Sequence, residues 1–126
     1  MRKIYKNVEL NNMLKSLEKV LRYNGRVGYA AARNTRLIRD ALTEFQNVQL
    51  GLMEKYGEKE LDEKGEETGN IRLKIGTPGF EKFYKELEPY LGIQHEVDIM
   101  QISTDDIAQL TGEEILAVDW MIKEAE

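Results

Sequence analysis

The sequence contains no cysteine, and this absence excludes disulfides, thiolate metal sites and cysteine nucleophiles. It contains a single histidine, His95, so a zinc site built from imidazoles is not expected. The two serines, Ser16 and Ser103, have no base at a spacing typical of a catalytic pair. Glycine-rich phosphate-loop motifs are missing too. We therefore expect a non-enzymatic protein with no catalytic residues, no metal and no cofactor.

Long apolar runs are also missing. No stretch approaches the roughly 20 apolar residues that a membrane-spanning helix needs. The first residues, Met1–Lys6, are not followed by the apolar segment of a secretory signal peptide. These features predict a cytoplasmic protein that does not contact a membrane. A chain of 126 residues is the size of one domain, 1–126.

The charge is distributed unevenly along the chain. The net charge is −5, but residues 1–56 hold 11 Lys and Arg against 5 Asp and Glu, whereas residues 57–126 hold 7 against 18. Such an uneven distribution of charge indicates which partners the two halves can bind. Either the basic half contacts the acidic half, within a chain or between copies, or the basic half binds an external anion.

The first half of the chain has the apolar periodicity of two helices. Apolar residues recur three and four positions apart from Val8 to Tyr23, and again from Gly28 or Tyr29 to Tyr56. Asn24 and Gly25 between them are typical of a helix end. The pattern predicts an antiparallel helical hairpin over about 8–57, in which the second helix is much the longer.

The longer helix outruns its predicted partner, and its second half still carries apolar residues. A stripe of this kind has to be covered by other elements or by another copy. We therefore predict a homodimer or higher oligomer. The predicted interface residues are Phe45, Val48, Leu52 and Met53.

The second half of the chain mixes strand and helix patterns. Residues 58–70 are acidic and glycine-broken and predict an exposed loop. In 71–126, Ile71–Ile75 and Ile93–Ile102 predict strands, Pro78–Leu91 predicts a helix, and short helices are expected after Ser103 and Thr111. The sequence also predicts a short strand before the first helix, with Ile4 and Val8 as its apolar members. The predicted fold is α+β: a helical hairpin followed by a small two- to three-stranded antiparallel sheet with two or three further helices.

One segment combines basic residues with a predicted helix start. If that helix begins at Gly28 or Tyr29, its free N–H groups and its dipole favour an anion, and arginine forks could bind the same group. The anion could be a small nucleotide, a nucleic-acid backbone or this protein's own acidic half. The acidic net charge argues against nucleic acid. The candidate anion-binding residues are Arg26, Tyr29, Arg33, Arg36 and Arg39.

Several motifs together resemble a group of small phage and prophage proteins. The long helix carries Arg33-Asn-Thr-Arg36-Leu-Ile-Arg-Asp-Ala-Leu42 and ends in Leu52-Met-Glu-Lys-Tyr-Gly57. The similar features that follow are the acidic loop at Asp62–Gly65, the helix at Phe80–Leu87, the strand at Glu96–Ile99 and the segment Thr111–Ile122. The resemblance implies a phage origin and an interaction role rather than a mechanism.

By analogy with such small phage proteins, we expect counter-defence as the role. The protein would then act in the host cytoplasm by binding a host protein or by sequestering an anionic signalling nucleotide. A role in virion assembly, or as a tail chaperone, is the alternative.

Overall fold

The computed structural model describes residues 2–123 and has the predicted α+β architecture. The four α-helices are α1 (Asn7–Leu17), α2 (Gly25–Tyr56), α3 (Pro78–Leu91) and α4 (Gly112–Ala117). The six strands within the described residues are β1 (Arg2–Lys6), β2 (Glu58–Leu61), β3 (Glu67–Arg72), β4 (Gln94–Asp98), β5 (Ile102–Ser103) and β6 (Ile122–Lys123). Two 3₁₀ helices, Thr104–Asp106 and Asp119–Met121, follow β5 and α4. In residues 2–123 no helix is both long and apolar enough to cross a membrane.

The predicted single domain divides into two compact units. Unit 1 contains the first 42 residues together with 94–126, and unit 2 contains residues 43–93. The boundary between the units falls within α2, between Leu42 and Thr43.

The strands form three separate pairs instead of the single sheet that the sequence predicts. β1 pairs antiparallel with β4, with Ile4 opposite Glu96. β2 pairs antiparallel with β3, and β5 pairs parallel with β6. The β1–β4 and β5–β6 pairs join segments far apart in sequence, and local patterns do not encode such partners.

The segment 58–70, predicted as a loop, is a β-hairpin in unit 2. Glu58 lies opposite Arg72, and Leu61 lies opposite Glu67. Residues 61–70 are exposed, as the prediction requires, but the two ends of the segment are paired strands. The strand predicted over Ile71–Ile75 ends at Arg72.

Helix α1 is shorter than predicted. It ends at Leu17, and residues 18–23 continue as tight turns with hydrogen bonds from Val20 N–H to the Leu17 carbonyl and from Tyr23 N–H to the Val20 carbonyl. Val20 is nevertheless fully buried. The apolar spacing therefore persists past the end of the helix, and this is why it predicts a longer one.

Helix α2 begins earlier than predicted, at Gly25, and it includes Gly28. A Cβ atom on Gly28 would lie 1.8 Å from the carbonyl oxygen of Tyr23. Because Gly28 has no Cβ atom, the chain before α2 can approach the helix closely at this residue. Gly28 therefore lies inside α2, and not at or before its start as predicted. A Cβ atom added to Gly51, in the same helix, would have no neighbouring atom within 4 Å.

The predicted oligomer-interface residues, which belong to unit 2, are wholly or partly covered in the single chain. Phe45 is buried, and Val48, Leu52 and Met53 are half-buried. Helix α3 lies beside the end of α2: a Cβ on Gly79 would lie 2.8 Å from the Tyr56 carbonyl oxygen, and Lys55 Nζ is 3.6 Å from Glu86 Oε1. The role of the four residues in self-association stays a prediction.

Candidate anion-binding surface

Three of the five candidate residues lie on one exposed face of α2. Successive helix residues are rotated by about 100°, so Tyr29, Arg33 and Arg36, spaced four and three apart, share a side. All three are exposed. The opposite side of the helix is buried, as Ala31 and Ile38 show. We call the surface formed by Tyr29, Arg33 and Arg36 the basic face.

The basic face encloses a shallow concavity. Its volume is about 150 Å³, and Ala32 lines it together with Tyr29, Arg33 and Arg36. Ala32 is small, which leaves the space between the longer side chains open. Tyr29 is 63 % exposed, so its ring is accessible to a partner at the edge of the concavity.

Arg26 and Arg39 do not line this concavity. Both are exposed on α2, Arg26 in its first turn and Arg39 one residue before Asp40. Within residues 2–123, neither Arg26 nor Arg36 has a salt bridge. The predicted group of five is therefore a group of three in one concavity, with two cations elsewhere on the helix.

The earlier start of α2 removes the helix N-terminus from the predicted site. Because the helix begins at Gly25, Arg33 is its ninth residue and lies in the third turn. The field of a helix dipole falls off within the first turn. The prediction that backbone N–H groups and these arginines converge on one anion is therefore wrong, and any anion held by Arg33 and Arg36 binds on the side of the helix.

A second charged cluster, which the sequence patterns do not predict, joins the chain before α2 to α4 in unit 1. Arg22 Nη2 donates to Glu114 Oε2 over 3.0 Å, and the Tyr23 hydroxyl donates to Glu114 Oε1. The Arg22 guanidinium also lies 5.0 Å from the centroid of the Tyr23 ring. Glu114 is the N3 residue of the predicted Thr111 capping box, which the structure confirms. The basic half contacts the acidic half through Arg22 here and through Lys55 and Glu86 in unit 2. One candidate arginine takes part as well, because Arg33 is an electrostatic neighbour of Asp98.

Glu114 is ionised in this cluster. Hydrogen bonds from the Thr111 N–H and the Tyr23 hydroxyl, with the charge of Arg22, lower the pKa of the Glu114 carboxyl below its ordinary value. A carboxyl group with a lowered pKa in the folded state stabilises the fold above the unfolded-state pKa. That contribution is lost as the pH falls through the folded-state pKa.

We expect Glu114→Gln to be less stable than the wild type at neutral pH, because the amide removes the charge that these donors stabilise. The difference should shrink as the pH falls below the ordinary value of 4.5, where the wild-type carboxyl also becomes neutral. Urea denaturation at pH 7 and pH 3 measures both quantities. Glu113→Gln, at an exposed neighbouring position, is the matched control, and an equal loss in both variants would contradict the assignment.

The single histidine has a structural contact. His95 is half-buried in β4, and its Nε2 lies 2.7 Å from Oδ1 of the buried Asn7. His95 is therefore a structural residue whose ring is held by Asn7. Among residues 2–123, no group of three or more His, Asp or Glu side chains is arranged to hold a metal ion.

Comparisons of the chain with protein-family models, with curated proteins and with solved structures find no match.

Proposed function

We propose that this protein is a non-enzymatic binding protein that captures an anionic partner on the basic face of α2. The observation that supports the proposal is the concavity on the exposed side of α2, where Tyr29, Arg33 and Arg36 line one space. Ordinary packing does not require two arginines and an exposed tyrosine to share a site opposite the buried side of a helix.

The side chains of the basic face suit a carboxylate or phosphate partner. An arginine guanidinium presents a planar fork that binds either group through two parallel hydrogen bonds. Tyrosine and arginine are also the residue types that contribute most to protein interfaces. Two acidic residues lie near these arginines: Asp40, four residues after Arg36 on the same side of the helix, and Asp98, an electrostatic neighbour of Arg33.

The size of the concavity favours a large partner over a small enclosed ligand. Small-molecule sites usually have volumes of about 300–1,000 Å³, and this concavity has about 150 Å³. It accommodates one acidic group and the edge of a ring, but not a whole nucleotide. We therefore propose the acidic surface of another protein as the partner. Because the sequence resembles small phage proteins, we propose that this partner is a host protein and that binding it serves counter-defence.

Thermal melts with two anions test this proposal. Pyrophosphate supplies phosphate groups, and a polyglutamate peptide supplies a protein-like row of carboxylates. We expect both to raise the melting temperature of the wild type, because a ligand present at 100 times its Kd stabilises the fold by about 2.7 kcal/mol. Arg33→Gln with Arg36→Gln should abolish the shift. Its own stability should stay within about 0.5 kcal/mol, because both positions are exposed.

The matched control removes two cations from another exposed helix surface. Lys82→Gln with Lys85→Gln on α3 changes the net charge by the same amount. The control should keep the anion-dependent shift. A wild-type melt that responds to neither anion, or a shift that the control loses as well, would contradict the proposal.

A further inference from the structure

We propose that the basic face docks against the tip of the β2–β3 hairpin of a second copy of this chain. This inference rests on the proposed function, because it names a partner and a regulation of the same surface. We call the exposed residues Leu61, Glu63 and Glu66 the acidic tip.

The acidic tip is an ordered turn. Asp62 Oδ1 accepts hydrogen bonds from the N–H groups of Lys64, at 2.8 Å, and Glu66, at 2.9 Å. Gly65 has a φ of 80°, which a glycine adopts without strain. The side chains of Glu63 and Glu66 are therefore presented on a closed turn and not on a flexible segment, so little conformational freedom remains to be lost on binding.

The tip of the hairpin has a net negative charge, because the carboxylates of Asp62, Glu63 and Glu66 outnumber the cation of Lys64. Lower in the hairpin, Glu60 pairs with Arg72 at 3.0 Å and Glu67 pairs with Lys59 at 3.2 Å. Glu63 and Glu66 have no ion pair within residues 2–123. They are complementary to the two arginines of the basic face.

The apolar groups of the two surfaces match as well. Leu61, next to the turn, is 58 % exposed, and Tyr29, next to the two arginines, is 63 % exposed. Each surface thus has one exposed apolar side chain beside two like charges, and the charges on the two surfaces are opposite. Stable interfaces typically combine a desolvated apolar centre with a charged rim. Exposed ion pairs alone contribute little, so burial of Tyr29 against Leu61 has to supply the affinity.

A dimer built in this way regulates the proposed binding function. A pair of copies in which each basic face meets the tip of the other makes the contact twice. An external acidic partner then has to displace the tip. The free protein is expected to be a dimer, and partner binding is expected to dissociate it.

Charge reversal of each surface, alone and in combination, tests the inference. By light scattering after size exclusion at low salt, the wild type should have twice the mass of the 14.6 kDa chain. At about 1 M salt, where the Debye length is about 3 Å, the ion pairs are screened and the dimer should weaken. Arg33→Glu with Arg36→Glu, and Glu63→Lys with Glu66→Lys, should each be monomeric at low salt. An equal mixture of the two variants should recover the dimer mass, because both contacts are then complementary.

The control reverses two cations elsewhere. Lys82→Glu with Lys85→Glu on α3 makes the same change in net charge as the reversal of the two arginines, and it should remain dimeric. Circular dichroism checks that every variant is folded. A monomeric wild type at low salt, a dimer in both single-surface variants, or folded variants whose mixture stays monomeric would overturn the inference.

Failure of this inference is distinguishable from failure of the proposed function. A monomeric wild type that polyglutamate still stabilises through Arg33 and Arg36 overturns the dimer and leaves the proposed function intact. A salt-sensitive dimer that forms the rescued mixture but ignores both polyglutamate and pyrophosphate supports the dimer and overturns the capture of external anions.

Discussion

Asn34→Ala is expected to destabilise the protein by about 2–4 kcal/mol, the largest effect that we predict for a single substitution. Asn34 is fully buried on α2 and bonds both backbone groups of Met100. Its Nδ2 donates to the Met100 carbonyl over 3.0 Å, and its Oδ1 accepts from the Met100 N–H over 2.8 Å. The alanine variant leaves two backbone groups without a partner, and each such group costs about 1–3 kcal/mol when it is buried.

Chemical denaturation of Asn34→Ala measures this loss. Asn47→Ala, at an exposed position on the same helix, is the control and should change the stability by less than about 0.5 kcal/mol. Asn34→Leu fills the volume but restores neither hydrogen bond, so it should lose nearly as much as alanine. If the leucine variant were as stable as the wild type, the hydrogen bonds to Met100 would not stabilise the fold as we argue.

The second large effect is expected for Gly28→Ala, which should lower the stability of the protein. The same substitution inside a helix usually raises it. In an ordinary helix interior, alanine is more favourable than glycine by about 1 kcal/mol. The new Cβ would lie 1.8 Å from the Tyr23 carbonyl oxygen, and a backbone atom cannot move aside as a flexible side chain can. Crowding of this kind costs about 1–3 kcal/mol, so we expect a net destabilisation.

Gly51→Ala in the same helix is the matched control for Gly28→Ala. No atom lies within 4 Å of the Cβ position of Gly51, so alanine should stabilise the protein by about 0.5–1 kcal/mol. The two free energies of unfolding, measured by urea denaturation, should therefore change in opposite directions. A stabilised Gly28→Ala variant would mean that the chain before α2 does not approach the helix as closely as described.

Features encoded by neighbouring residues could be predicted from the sequence. The Thr77 cap of α3 accepts a hydrogen bond from the Phe80 N–H, and Thr111 and Glu114 form the predicted capping box. The long helix, too, was predictable, because its apolar period continues to Tyr56. In each of these cases the interacting residues lie within four positions of one another.

Contacts between distant parts of the chain could not be predicted in this way. Asn34 and Met100 are 66 positions apart, and Arg22 and Glu114 are 92 apart. The sequence does indicate that Asn34 is unusual, because it is an amide within an otherwise apolar helix stripe. A buried amide needs partners, but the sequence does not say which backbone groups they are.

The candidate site was predictable in part. The spacing of Tyr29, Arg33 and Arg36 places them on one side of a helix wherever that helix begins. The predicted helix start differs from the observed one because glycine is typical of a position at or before a helix start, whereas Gly28 lies inside α2 against the Tyr23 carbonyl. That error of one turn is what wrongly assigned a helix N-terminus to the arginines.

An NMR titration of the arginine side chains tests the proposed capture of anions most directly. The Nε–H groups of the seven arginines are followed while polyglutamate is added to the wild-type protein. We predict saturable shifts at Arg33 and Arg36 and at the backbone amide of Tyr29, with Arg22 and Arg72 unchanged because Glu114 and Glu60 already bind them. Shifts spread evenly over all arginines, or no shift at Arg33 and Arg36, would contradict the account.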